Sequence, residues 1–174
     1  MDRTTRFLGI DPGLRTTGYG AIACNGRRAR LIEAGIVEPH AAQSLEERLR
    51  ELHRGMCEVI ASLHPDAVVI EELYTTYRNP LTAIMMGHAR GVLCLAAAQH
   101  DVPVRTVAHS QVKRALIGSG AATKDQVGRA VVEMLRLREA PRPNDVSDAL
   151  ALALTFWNVL DHERRFSFPL RAAR

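Results

Sequence analysis

The chain predicts an α/β domain built on a mixed sheet, and three observations carry that prediction. It opens with three extended segments joined by turn signals too tight to hold a helix, which is the mark of an antiparallel meander. Beyond residue 44, helical and extended periods alternate, as they do where helices cover a sheet. The segment Ala67–Glu71 is apolar at four successive positions before its acid, as a strand covered on both faces requires.

Each element has a local reason. Arg6–Ile10 is a short apolar strand, followed by the turn Asp11-Pro12-Gly13-Leu14-Arg15; Gly18–Ala23 resumes the extended form. Asn25-Gly26 is a strong hairpin signal, because both residues tolerate positive φ, and Arg30–Glu38 returns as the third strand. Ser44 and Glu47 form a capping box that opens an amphipathic helix. Its apolar residues Leu45, Leu49, Leu52, Met56, Val59 and Leu63 fall on one face, and it ends near His64-Pro65. Pro80 suits the first turn of a helix to about Gln99, in which Gly87 and Gly91 offer a smooth patch for close packing. Val102–Val107 is a further strand, Ser110–Ile117 a short helix, and Gly118-Ser119-Gly120 a break. Thr123 and Gln126 make a second capping box, for a helix to about Leu137. Asn144 caps the last helix, to Leu160, and the basic stretch 161–174 is expected to be loosely ordered beyond a single domain spanning 1–160.

At 174 residues the chain is long enough to bury a sizeable core. No window approaches 18 uncharged apolar residues, and the amino terminus lacks a basic-then-apolar signal. Three widely spaced cysteines, Cys24, Cys57 and Cys94, read as reduced thiols, so a cytoplasmic location and no membrane association are expected. His53 and Cys57 share a helix face but make only two ligands, too few for a zinc site. The net charge of +4 permits a polyanionic partner without proving one. Of 23 basic residues only Lys113 and Lys124 are lysine, which suits a need for a compact point charge at those two places or chance retention on the surface.

Acidic residues carry the chemistry. Asp11 and Glu71 each end an apolar strand, where an uncompensated buried charge is expensive. Asp145 and Asp148, three apart, share a helix face in the first turn, where the helix dipole stabilises negative charge. Either aspartate alone is explained as a cap. All four together point to divalent metal bound for phosphodiester chemistry, because Mg²⁺ and Mn²⁺ prefer hard oxygen ligands and a pair of ions about 4 Å apart needs several carboxylates. Glu72 points to the opposite strand face from Glu71; the uniformly apolar run before them does not say which faces the site, and Glu72 reads as a solvated or salt-bridged residue. The glycine-rich turn Asp11-Pro12-Gly13 with Thr17-Gly18-Tyr19-Gly20 suits either a backbone approach to phosphate or a plain hairpin. Tyr74 and Tyr77 lie in a polar loop after Glu71; Tyr74 suits either stacking beside an unpaired base or a loop anchor, Tyr77 a loop anchor, while Arg78 in the same loop is a candidate DNA contact.

These segments resemble the RuvC family of Holliday-junction resolvases. The likeness runs from Gly9-Ile10-Asp11-Pro12-Gly13 through Ile70-Glu71-Glu72-Leu73-Tyr74 to Asp145-Val146-Ser147-Asp148, with Gly87-His88-Ala89-Arg90-Gly91 and Gln111-Val112-Lys113 between. The resemblance implies a ribonuclease H-like fold with a central five-stranded mixed sheet flanked by helices. It also implies a homodimer that nicks four-way junction DNA symmetrically with two Mg²⁺ or Mn²⁺ ions per site, and a partnership with the RuvA-RuvB branch-migration complex. Carried over by position, Asp11, Glu71, Asp145 and Asp148 are the metal-binding catalytic acids, and Lys113 and Lys124 are catalytic, DNA-contacting basic residues. Tyr74 falls where many relatives have a phenylalanine that disrupts stacking, and position 145 is histidine in some relatives. Two rival readings are a ribonuclease H-like ATPase, which normally needs two such domains, and a non-catalytic junction-binding module, which leaves the acids unexplained.

Overall fold

The computed structural model describes residues 4–26, 28–72 and 80–166. Its elements are β1 (Thr5–Asp11), β2 (Thr17–Asn25), β3 (Arg28–Val37), α1 (Leu45–Leu63), β4 (Ala67–Glu71), α2 (Pro80–Gln99), β5 (Val104–Val107), α3 (His109–Ile117), α4 (Lys124–Leu135) and α5 (Asn144–Phe166). One five-stranded mixed sheet runs in the order β3-β2-β1-β4-β5. The first three strands are the expected antiparallel meander, and β4 and β5 add parallel to β1. Both capping boxes form: Ser44 with Glu47 at the start of α1, and Thr123 with Gln126 at the start of α4.

Apolar residues divide between the two sheet faces by strand parity. Phe7, Ile22, Cys24 and Val69 join the core beneath α3, α4 and α5. Leu8, Ile10, Val68 and Ile70 join the core shared with α1 and α2. Parity continues to the strand ends. Asp11 follows Phe7 and Gly9, and Glu71 follows Val69, so both acids emerge toward the α3–α5 layer. Ile10 pairs with Ile70 in parallel register, which puts the two acids side by side at one sheet edge. Glu72, on the other parity, is exposed, and only Glu71 turns toward the site.

Glycines let α5 lie directly on the sheet. A Cβ at Gly9 would come within 1.9 Å of the Ala149 carbonyl oxygen, and one at Gly18 within 2.2 Å of the Asp145 carbonyl oxygen. At Gly20 it would meet the Leu150 side chain at 2.5 Å. Gly18 and Gly20 thus serve helix packing, and this close approach brings Asp145 and Asp148 beside β1. Gly9→Ala should therefore cost about 3 kcal/mol or more, because backbone rather than a flexible side chain must give way. Gly128→Ala in α4 should instead stabilise by roughly 0.5–1 kcal/mol, since its Cβ would meet only the Ser147 hydroxyl at 3.8 Å. Urea unfolding checks both; a Gly9→Ala loss below about 1 kcal/mol would show that α5 backs off the sheet cheaply.

Several boundaries differ from the sequence reading: β3 spans Arg28–Val37 where Arg30–Glu38 is expected, and α4 ends at Leu135 instead of about Leu137. β5 begins at Val104 and α3 at His109. α5 continues past Leu160 to Phe166, so residues 161–166 are helical, not part of a loose tail. The run Asp161-His162-Glu163 loses apolar periodicity but contains no helix breaker, so propensity carries the helix on. Residues 167–174, and the loop of Tyr74, Tyr77 and Arg78, lie outside the described residues. α2 is long and apolar enough to cross a membrane by length and composition, which the uncharged-window criterion passed over because Arg90 interrupts the run. Here its Ala89, Leu93, Ala96 and Ala97 are buried in the core shared with α1. His53 Nε2 lies 2.7 Å from Gln99 Oε1, and Cys57 Sγ sits 3.7 Å from the same ring nitrogen.

Candidate active site

A cavity of about 350 Å³ opens at the sheet edge where β1 and β4 end. Asp11, Glu71, His109, Lys113, Lys124 and Asp148 line it. Two strand ends, the start of α5, the middle of α3 and the start of α4 thus converge on one space from positions up to 137 residues apart (148 − 11). Asp145 is half-buried and does not line the cavity, but its charge acts on Asp11. The fold positions all six described residues that the sequence had singled out at this edge; Tyr74 and Arg78 lie outside the described residues.

Burial and charge crowding together set the electrostatics of the site. Burial, then Asp148, Glu71 and Asp145, push the Asp11 carboxyl up to about 7, against an opposing pull from Lys124. Lys124 Nζ donates to Asp148 Oδ2 at 2.6 Å, a bond that raises the ammonium above its ordinary range. Glu71 Oε1 lies 2.8 Å from His109 Nδ1. Among the described residues, no three His, Cys, Asp or Glu side chains are drawn tightly enough together to hold a metal ion as they stand. Two of the acids are instead occupied by Lys124 and His109. The donor set itself fits a divalent cation: hard carboxylate oxygens face a shared cavity, and crowding so costly to Asp11 is what added positive charge relieves.

That crowding has a measurable pH signature. Folded Asp11 keeps its proton to about 7, while the unfolded chain releases it near the ordinary aspartate value of 3.8. Between those values the native state binds more protons, so the Asp11 contribution is full below the lower one and is lost as pH rises through the upper. Wild-type stability relative to Asp11→Asn should fall by a few kcal/mol (no more than about 4) from about pH 4 to pH 7. Parallel urea titrations of the two proteins with metal chelated measure this; a constant difference would mean that Asp11 ionises freely.

His109 was missed by sequence reasoning, which started the helix at Ser110. The available signal was positional: β5 neighbours β4, and Glu71 pairs with Val107, so the residue two beyond Val107 is a near neighbour of the Glu71 side chain.

A mixed sheet in this order, with acids gathered at the ends of its two central parallel strands, defines the class: a ribonuclease H-like nuclease. The family model described as "Crossover junction endodeoxyribonuclease RuvC" matches residues 7–156. A crossover junction endodeoxyribonuclease RuvC of Rhodopirellula baltica is 48% identical over 148 residues, covering 85% of this chain and 83% of the relative. That of Halorhodospira halophila is 43% identical over 169 residues, covering 97% and 96%. The solved structure of T. thermophilus RuvC in complex with Holliday junction substrate superposes with a TM-score of 0.86 at 36% identity, covering 91% of this chain and 96% of that one. The chain belongs to the RuvC family of crossover junction endodeoxyribonucleases. Nucleases of this family depend on divalent metal.

Proposed function

We propose that this chain is a homodimeric Holliday-junction resolvase that nicks two strands of like polarity symmetrically across a four-way DNA junction. The observation that carries the reading is the convergence of Asp11, Glu71 and Asp148 with Lys113 and Lys124 around one cavity. Asp11, on which the charges of Asp148, Glu71 and Asp145 all bear, would hold the metal (Mg²⁺ or Mn²⁺, two ions) together with Glu71 and the Asp145/Asp148 pair. When bound, the metal supplies an activated water and offsets charge on the leaving oxygen. The reaction is in-line hydrolysis: water oxygen bonds to phosphorus as the bond to the 3′-oxygen breaks.

The chain's own groups do the rest. The cavity holds the phosphate where the acids present their oxygens. Lys124 is placed to exchange its bond to Asp148 for one to a phosphate oxygen, and Lys113 adds a second positive charge, so that both oppose the growing charge on the pentacovalent phosphorus. A second groove of about 540 Å³ shares Lys124 and Asp148 and continues past Arg129, Asn144 and Ser147. It gives the cleaved strand a path with phosphate partners that position without reading sequence.

Dimerisation is supported by α2, whose outer face is exposed and apolar: Ile84 and Leu95 are 56% and 51% exposed. Gly87 and Gly91 between them would meet nothing within 4 Å even with a Cβ, leaving room for a second helix to approach closely. A two-fold pair of sites matches the two-fold symmetry of a junction. The junction-remodelling RuvA-RuvB complex is the proposed partner in recombination and repair, and the cytoplasm the proposed location.

The test is a synthetic four-way junction labelled on each strand in turn and incubated with Mg²⁺ or Mn²⁺. Paired nicks at symmetric positions are expected. Tight junction binding with no nicking under either metal would favour a binding module, and ATP turnover without DNA an ATPase.

A further inference from the structure

Glu71 is held at both its main chain and its side chain. Its carbonyl oxygen accepts from Arg90 Nε at 3.3 Å, and the same guanidinium donates to Thr106 Oγ1 at 3.1 Å on the neighbouring strand. The amide of Glu72 donates to the Val107 carbonyl at 2.9 Å, which ties the end of β4 to the start of the turn into α3. That turn is itself fixed: Gln111 Oε1 accepts from the Ala108 amide at 2.9 Å. His109, the first residue of α3, then reaches back across the cavity, its Nδ1 lying 2.8 Å from Glu71 Oε1. An ionised carboxylate can only accept, so the bond requires a proton on Nδ1. The opposite ring edge faces away from Glu71, and the imidazole is 59% exposed.

A glutamate at a strand end has three torsions to fix and loses much rotamer freedom when it ligates an ion. Its partner group removes that freedom in advance, which is how outer hydrogen bonds tune metal sites. Resting on the metal-dependent nuclease reading above, we propose that His109 is a positioning residue for that site: its Nδ1–H holds Glu71 Oε1 and so fixes the carboxylate that would hold the divalent cation. Lysines bear on the phosphate; His109 acts only through Glu71. The metal affinity of this chain therefore depends on a residue outside the four acids.

Side-chain geometry supplies the test. The amide nitrogen of asparagine sits as far from the main chain as histidine Nδ1, whereas that of glutamine corresponds to Nε2. Mn²⁺ binding is measured on the full-length protein without DNA by electron paramagnetic resonance titration, for the wild type and for His109→Ala, His109→Asn, His109→Gln and Asp11→Asn. His109→Ala should weaken Mn²⁺ binding about 10- to 100-fold. His109→Asn should stay within about threefold of wild type, and His109→Gln should behave like the alanine variant, because only asparagine keeps the donor in place. The Mn²⁺ concentration for half-maximal junction cleavage should shift in the same order, with metal-free junction binding unchanged. Equal affinity in wild type and His109→Ala, tighter binding in His109→Ala, or restoration by glutamine instead of asparagine would each overturn the proposal. A wild type that binds no Mn²⁺, or an Asp11→Asn variant that binds it equally well, would remove the metal reading along with it. Loss in Asp11→Asn with none in His109→Ala would remove the role of His109 alone.

Discussion

Asp11→Asn is expected to slow junction cleavage by at least about 10³-fold while leaving junction binding intact or tighter. A metal-assisted phosphoryl reaction draws several kcal/mol of transition-state stabilisation from its ions, and each 1.36 kcal/mol is a factor of about ten. Asparagine keeps the size of the side chain but removes its charge, at the residue on which the fields of Asp148, Glu71 and Asp145 all converge. Binding should survive because the phosphates of the junction are attracted by the Arg and Lys side chains, and one fewer negative charge in the cavity reduces repulsion. The substitution also removes the residue most burdened by crowding, so the variant should be at least as stable as wild type at neutral pH. Loss of activity then cannot be ascribed to unfolding. Cleavage and gel-shift titrations on the same labelled junction separate the two effects. Near-normal cleavage at matched folding would contradict the scheme.

Lys124→Ala is expected to lower the cleavage rate at saturating enzyme about 10²-fold, and junction affinity by much less. In the proposed mechanism its ammonium would oppose charge that appears on phosphorus only in the transition state, and removing one such donor typically costs about 10²–10³ in rate. Lys124 is also the partner of Asp148 at 2.6 Å, so its loss leaves that acid to add to the negative field on Asp11. Lys124→Arg should recover little, since a planar guanidinium does not replace a compact charge at this distance. Single-turnover rates set against affinities give the answer: equal losses in both would reduce Lys124 to a DNA backbone contact.

Much of this site was legible from strand ends. Asp11 and Glu71 close apolar runs, which by itself flags an expensive carboxylate, and the i, i+3 spacing of Asp145 and Asp148 put them on one helix face. Capping boxes at Ser44 and Thr123 set two helix starts to the residue, because side-chain and main-chain donors there satisfy one another locally. What could not be read depended on contacts between elements. Nothing in Ala67–Glu72 tells parity when every strand residue before the acids is apolar, and only packing against α5 and α3 selects Glu71 over Glu72. The turn carrying Gly18 and Gly20 suited a phosphate approach and a plain hairpin equally; what the two glycines accommodate is α5, whose Asp145 lies against Gly18 and whose Leu150 lies against Gly20 from far along the chain. His109 escaped notice for the same reason, since its partner lies 38 residues away across a strand pairing. The last turns of α5 were missed because apolar periodicity fades before helix propensity does.

The position of a bound divalent ion is the most direct test of this site. Crystals of the protein grown with Mn²⁺ and measured at the manganese absorption edge would locate it by anomalous scattering. The expected result is a peak within coordination distance of an Asp11 oxygen and shared with Glu71 or Asp148, with Lys124 released from Asp148. A protein that binds Mn²⁺ elsewhere, with these carboxylates still turned to Lys124 and His109, would contradict it.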